Sequence, residues 1–512
     1  MFNLEVNTTE RRTLGERLNY SIFVKKMNNP VGYLLLTALS IALGYVVYSK
    51  GPVLGIVLLA AIIGAPLLVA TMFNLRLGII MIITLSFFVL GVKRLTEGVP
   101  LGLVMDIMIA LMGFGMFVKH IDNKDWKWAK SPISNVILIW IAYNLLEVGN
   151  PAATSRMAWV MTVRSFAGFM AMYFIILYSL NGMRYVSFII KLWILLTTLG
   201  ALYGIWQEFM GFTTKEMAWI QADEGRVALL YVMGRYRKFS FFSDPMIMGF
   251  VMAYTATLCF TLLSAPIFFW KKVLLVVVGS LMVTCMVYSG TRAAYVLLPV
   301  GGFFYAMITF KRNILIACGI GFMIGLVIVN MPTSNPNLVR FQTAFHPDDD
   351  PSYRTRKRNQ AFIKPYIQTH PMGGGLGSVG GWGEKYSPGS MLAKFPPDSG
   401  YVRIAVEMGP IGLFIYCYLM WTICRVGIKN HFRIKDPFIK AISLSLLTVF
   451  YTLVVANFPQ EALGQIPTSL ILFLIIALLS KLRDFDKIRQ REIAEYARQQ
   501  EQPENVPAML TA

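Results

Sequence analysis

Charge is what this sequence has least of. Only 14% of its 512 residues are charged, 56% are hydrophobic, and the mean hydropathy is +0.58. A soluble chain carries about 25% charged residues, and no soluble core hides so much apolar surface. That excludes a soluble enzyme. It also excludes a large soluble domain on one anchor, because about fourteen spans of ~20 residues take roughly 280 positions and leave about 230 for loops and tails. Histidine is scarce: four lie at 120, 346, 370 and 431, and none forms HxxxH or HExxH. The sequence offers no metal motif, and His346 followed by Asp348, Asp349 and Asp350 reads as a solvated acidic turn rather than a hard-cation site. The five cysteines (Cys259, Cys285, Cys318, Cys417, Cys424) fall in or beside apolar stretches without a CxxC pair. They read as small core residues, neither a disulfide framework nor a zinc site. Acidic residues number 27 against 47 basic ones, a net +20. The basic residues are dispersed between apolar spans, so they read as anchors of inner loops and not as a nucleic-acid surface.

What is present is a series of apolar runs, near 31–49, 53–73, 77–92, 99–118, 132–147, 157–180, 185–208, 241–263, 267–289, 293–310, 313–331, 401–424, 437–457 and 466–481. A backbone in lipid must satisfy its own hydrogen bonds, so these predict an all-α polytopic membrane protein. The count is about 14 transmembrane helices, within a range of about 12–14. No cleavable signal peptide precedes the first run, which should itself direct insertion. With the amino terminus inside, the loops holding Lys119–Lys130, Lys271–Lys272, Lys311–Arg312 and Arg425–Lys435 all become cytoplasmic, as does the tail from Lys481. The division is then a cytoplasmic segment 1–30, a first membrane part 31–331 with an outer loop 209–240, a large outer loop 332–400, last spans 401–481 and a polar tail 482–512.

The 332–400 loop holds 8 Lys or Arg against 5 Asp or Glu, a positive balance on the side where positive charge is normally depleted. Either an anionic ligand accounts for it, or long outer loops simply escape the bias. Within it, Tyr353–Thr369 reads as one or two short helices led by Arg354, Arg356, Lys357 and Arg358, with Ala361, Phe362 and Ile363 on the membrane surface. Nine glycines between 373 and 400 suit close backbone approach to a ligand, as a lid that orders on binding. Gly375-Leu-Gly-Ser-Val-Gly380 matches GxGxxG, but no strand precedes it and no convincing helix follows, so the dinucleotide reading fails.

Arg237, where the outer loop enters a span, and Arg292, at a tight outer turn, both sit level with lipid headgroups. An arginine there either snorkels or uses its fork on phosphate oxygens, as a departing diphosphate needs. Arg164, inside a span, needs a partner or a cavity; Asp106 is the candidate, although its position places it nearer the other face. Glycosyl transfer also needs a base for the acceptor hydroxyl. His370 is the outer histidine beside the glycines and is either that base or a structural residue; Asp398 is the rival base.

Four segments in order resemble a known family. Arg237…Phe242-Ser243-Asp244-Pro245 is similar to Arg-x-x-Gly-x-Phe-x-Asn-Pro, with Ser240 for Gly and Asp244 for Asn. Ser289-Gly290-Thr291-Arg292 is similar to Ser-x-Ser/Thr-Arg. His370-Pro371…Gly375-Leu376-Gly377 is similar to His-Pro-x-x-Gly-x-Gly, and Asp398…Glu407-Met408-Gly409-Pro410-Ile411-Gly412 to Asn/Asp…Glu-x-Gly-x-x-Gly. Over about 235–415 the chain thus resembles the bacterial O-antigen ligase and polysaccharide polymerase superfamily, integral membrane glycosyltransferases of the GT-C type. The resemblance implies an inner-membrane enzyme with both termini cytoplasmic and a periplasmic active site. It implies a donor glycan on undecaprenyl diphosphate and, as acceptor, the lipid A core or another lipid-linked glycan. Arg237 and Arg292 would bind the diphosphate, joined by Arg354 or Arg356 at the head of the loop helix. His370 would be the base or position the acceptor, with no metal ion or other cofactor. The competing readings are a transporter or flippase for an anionic glycolipid, which would carry its charges near the midplane, and a structural subunit in which Arg292 and His370 are replaceable.

Overall fold

The computed structural model of the chain describes residues 30–50, 64–95, 101–121, 126–345 and 351–501. The acidic turn His346–Asp350 lies outside them. Two compact units are formed, Met1–Gly78 with Leu111–Lys119, and Ile79–Ala110 with His120–Ala512. In the first unit, Gly115 backs onto the Met72 carbonyl so closely that a Cβ there would collide with it. The candidate site lies wholly in the second.

In chain order the helices are α1 Pro30–Lys50, α2 Gly64–Phe73, α3 Leu75–Leu95, α4 Leu101–Ile121, α5 Pro132–Leu146, α6 Arg156–Ser179 and α7 Met183–Met210. Next come α8 Thr214–Gln221, α9 Glu224–Leu230, a hairpin of β1 Tyr231–Val232 and β2 Arg235–Tyr236, α10 Pro245–Thr261, α11 Phe269–Tyr288, α12 Arg292–Thr309 and α13 Arg312–Asn330. The long loop contributes α14 Pro336–Gln342, α15 Pro351–Thr369 and α16 Gly381–Tyr386, before α17 Gly400–Arg433, α18 Pro437–Ala456 and α19 Thr468–Glu501. The protein is an all-α polytopic membrane protein.

Among the described residues eleven helices are long and apolar enough to cross a membrane, fewer than the expected fourteen. The difference has local causes. Run 31–49 is helical as α1, but only Pro30–Ala42 of it is counted as a shorter apolar helix, and run 53–73 is described from residue 64 onward. Run 466–481 opens α19, whose apolar turns merge directly into a stretch holding Lys481, Arg483 and Asp484.

Helix starts follow the sequence chemistry. Ser131 caps α5, Ser155 caps α6, and Asp244 and Asp436 cap α10 and α18 with proline at the first helical position, where its missing N–H has no intrahelical partner to lose. The core of the bundle is α10 and α18, with 83% and 72% of their span windows buried, whereas α13 has none. Apolar attraction between helices is weak in lipid, so small residues and polar contacts hold them together. Gly301 of α12 lies against Thr257 and Thr452, each 2.8 Å from where a Cβ would be, and Trp193 donates to Thr255 Oγ1 at 3.0 Å. Arg164 does pair with Asp106, Nε to Oδ2 at 3.3 Å, so the two stand at a common depth and Asp106 does not lie nearer the other face as expected.

The outer loop 209–240 is a folded clip. A capping box between Thr213 and Glu216 opens α8, and Ile220, Leu230 and Phe239 form its own small core. Arg94 of α3 reaches in to donate to the carbonyls of Ser240 (3.2 Å) and Phe242, its guanidinium 4.4 Å from the Phe239 ring centre. That fixes the chain just after Arg237.

Candidate functional site

The first constellation is built on a turn. Gly290 closes the Ser289–Thr291 turn between α11 and α12 at φ +58, a conformation that favours glycine. Around it Arg237 donates from Nε to the Ser289 carbonyl (2.9 Å) and from Nη2 to Thr291 Oγ1 (3.0 Å). Thr291 in turn donates to the Pro245 carbonyl at 2.8 Å. Arg292 follows as the first residue of α12.

A third arginine arrives from fifty residues away. Arg340 of α14 donates from Nε to the Gly290 carbonyl at 2.5 Å. A Cβ on Gly290 would stand 2.9 Å from that Nε and 3.6 Å from Cγ of Arg237. Phe341 stacks beside buried Tyr295 at 5.1 Å, which seats α14 over α12. Burial, and then the positive field of Arg340, pull the Arg237 guanidinium down to about 10, with Asp244 opposing and Arg292 adding to the repulsion. It remains charged at neutral pH. Asp244 has its oxygens engaged elsewhere, Oδ1 by the Met246 and Ile247 N–H groups and Oδ2 by the Ser243 hydroxyl. Three guanidinium groups thus share one turn whose local carboxylate serves as a helix cap, an arrangement that suits an anion with several oxygens.

The second constellation is the end of α15 and the glycine-rich loop. Of the one or two short helices expected over Tyr353–Thr369 the structure has one: α15 runs unbroken through Pro365 from Pro351 to Thr369. Its inward stripe is Arg356, Asn359, Ile363, Tyr366 and His370, while Arg354 points to solvent. Ile363 is buried with Val379, Leu392, Phe395 and Val406, so it belongs to a loop core and not to the membrane surface; Phe362 is exposed. His370 stacks on Tyr366 with ring centres 4.0 Å apart. Its Nδ1 lies 3.1 Å from the Tyr366 carbonyl and 2.9 Å from the Thr369 hydroxyl. A carbonyl can only accept, so the bond to Tyr366 places the proton on Nδ1 and the lone pair on Nε2.

The first glycines of the loop pack on protein, not on open space. Gly373 through Ser378 are buried against the protein's own helices. In α17, Gly409 adopts φ +68 and Pro410 follows, which frees the carbonyls of Val406 and Glu407 from their helical partners. The loop supplies replacements: Gly374 N–H donates to Val406 O at 2.8 Å and Gly375 N–H to Glu407 O at 2.9 Å. A Cβ on Gly373 would lie 2.5 Å from the Gly409 nitrogen, and one on Gly409 would strike the Pro371 carbonyl. The His-Pro-x-x-Gly and Glu-x-Gly-Pro segments are therefore two halves of one joint. A short helix, α16, does follow Gly380, contrary to expectation, but no strand precedes the glycines.

Two further clamps hold that joint, and neither was visible in the sequence. Asn150, between α5 and α6, donates to the carbonyls of Met372 (2.8 Å) and Gly373 (3.3 Å) and to buried Glu147 Oε2 (2.8 Å). Arg403 grips Glu461 with Nη1 at 2.7 and 2.6 Å and reaches Glu407 with Nε at 3.2 Å. Asp398 accepts from Asn359 at 3.2 Å. Asn359 lies on α15 and His370 just past its end, eleven residues on, about 16 Å along the helix axis, so the structure does not bring the two expected bases together.

Both constellations lie on one membrane face. Gly301 and Thr452 mark a common depth; Arg292 is nine residues above the first on α12 and Asn457 five above the second on the antiparallel α18, about 13 and 7 Å. The Asn457 carbonyl accepts the Gly400 N–H at 3.0 Å, two residues after Asp398.

Residues 276–417 match the family model described as O-antigen ligase. That range contains Arg292, Arg340, Arg354, Arg356, His370 and Asp398, and Arg237 precedes it. No curated protein matches the chain.

Proposed function

We propose, from the match of residues 276–417 to the O-antigen ligase family model, an inner-membrane glycosyltransferase of the O-antigen ligase and polymerase superfamily that moves a glycan from undecaprenyl diphosphate onto an acceptor hydroxyl at the periplasmic face. Both termini are then cytoplasmic. The observation that carries this reading is the meeting of Arg237 and Arg340 on the Ser289–Thr291 turn beside Arg292. In the step proposed, the acceptor oxygen bonds to the anomeric carbon as the bond from that carbon to the diphosphate oxygen breaks. The hydroxyl proton passes to Nε2 of His370, and undecaprenyl diphosphate leaves with its charge held by the guanidinium groups. Arg356 stands on the inward stripe with His370 and takes the role of the loop-helix arginine before Arg354 does. Asp398, tied to Asn359, positions the loop helix.

The donor half is common to a ligase, with the lipid A core as acceptor, and to a polymerase, with another lipid-linked repeat. A flippase is the weaker reading, because the arginines gather at one face while the intramembrane Arg164 is paired with Asp106. The test is the surface glycolipid profile of a deletion strain complemented with wild type, Arg292→Ala or His370→Ala at matched membrane levels. Long glycan restored by wild type alone supports transfer, and accumulated lipid-linked polymer then marks a ligase, single capped repeats a polymerase. Full restoration by both variants would move the transporter and structural readings ahead.

A further inference from the structure

The opposite ends of the helices carry a second basic site, unconnected with glycan transfer. Phe438 at the start of α18 lies fourteen residues below Thr452, and Arg292 nine residues above Gly301, which together separate the two by about 35 Å. That exceeds the ~30 Å hydrocarbon thickness, so this end lies at the other headgroup layer. There a cavity of about 620 Å³ opens between the beginnings of α7 and α18 and the extension of α19. Arg184, Ser187, Phe188 and Lys191 share one stripe of α7, at positions i, i+3, i+4 and i+7, and face Phe438 and Arg489 across the cavity.

Its charge balance is positive. Three cations line it against one carboxylate, Asp436. Asp436 already accepts the Phe438 and Ile439 N–H groups with Oδ1 and the Arg489 Nε with Oδ2 at 3.1 Å. Among the described residues no ion pair holds Arg184 or Lys191, and both are exposed. The helices α7 and α18 also turn their positive ends toward it. Scattered snorkelling would not explain why two sequence-distant helices, α7 and α19, bring their cations to one cavity at the start of α18. An aromatic ring completes the pattern: Phe188, 47% exposed, sits between Arg184 and Lys191, apolar surface at the depth where a headgroup joins its acyl chains.

We propose that this cavity binds the phosphate of an anionic phospholipid from the leaflet opposite the arginine turn, linking α7, α18 and α19. Ser187 supplies a hydroxyl and Arg184, Lys191 and Arg489 the positive charge, while Phe188 packs on the glycerol and upper acyl carbons. Basic pockets between membrane helices take such headgroups, at a gain near fivefold in affinity per cation.

The test uses the full chain in nanodiscs of phosphatidylcholine with a minor fraction of phosphatidylglycerol or cardiolipin, with retained lipid counted by native mass spectrometry. Wild type should keep anionic lipid in preference to phosphatidylcholine. Arg184→Gln with Lys191→Gln, which leaves the Asp436–Arg489 pair intact, should weaken retention by about 25-fold. Lys271→Gln with Lys272→Gln, the same charge removed outside the cavity, should leave it unchanged. Retention by the Arg184/Lys191 variant equal to wild type would overturn the proposal, as would equal retention of phosphatidylcholine. Displacement of the lipid by soluble pyrophosphate at constant ionic strength would assign the cavity to a free anion instead, and would also overturn it.

Discussion

At the scale of single residues, Arg340 carries the most information. It touches the same glycine as Arg237, yet no local signal marks it. It lies in Leu-Val-Arg-Phe, fifty residues past the turn it contacts, and only the return of α14 over α12 makes it part of the site. Arg340→Ala should lower glycan transfer by ~10²-fold or more, the scale of losing one donor to a developing oxyanion. Arg340→Lys should recover part of it, since a point charge replaces a fork. Initial rates with purified protein read both, and an unchanged rate in Arg340→Ala would remove it from the site. Arg237 and Arg292, by contrast, were legible in the sequence because a charge pinned at a span boundary stands out against apolar neighbours.

The acid–base behaviour of the arginine turn follows from its burial and like charge. Arg237 keeps its charge until its proton leaves at about 10. A guanidinium lowered by burial and like charge is protonated well below that value, so the hold proposed for it on diphosphate should be flat near neutrality and weaken as pH rises through it. Donor-analogue binding to His370→Ala should therefore stay constant from about pH 6 to 9 and fall above about 10. A binding change near pH 7 in that variant would show that a group other than Arg237 controls the donor.

At the scale of elements, the joint between the glycine loop and α17 sets where His370 stands. Its glycines were evident in the sequence, but what they approach was not, because close packing on helices and close packing on a ligand use the same residue. The structure decides for helices: Pro410 and Gly409 leave two carbonyls that the loop N–H groups take up. Gly409→Ala places a methyl on the Pro371 carbonyl and strains a left-handed backbone, so it should destabilise the joint by about 1–3 kcal/mol. Asn150→Ala removes the donor to Met372 and Gly373 and leaves buried carbonyls unpaired, at a similar cost of about 1–3 kcal/mol. Limited proteolysis of the 370–400 segment in membranes reads both; resistance equal to wild type would mean that the loop is held by other contacts. The spans themselves were legible because lipid demands long apolar runs. The count was less so, since α19 joins apolar turns to a charged extension without a break.

At the scale of the whole molecule, the second unit presents two unlike faces. One gathers the arginine turn, α15 and the glycine joint; the other carries the basic cavity about 35 Å away along the helices. The central claim concerns the first face, that it holds a lipid diphosphate while a hydroxyl displaces it. The most direct measurement is release of undecaprenyl diphosphate from a synthetic undecaprenyl-diphosphate oligosaccharide, with purified protein and a glycolipid acceptor in nanodiscs. Wild type should release the carrier in step with glycosylated acceptor, and Arg292→Ala should fall by ~10²-fold or more at equal folding. Carrier release by Arg292→Ala at the wild-type rate would contradict it.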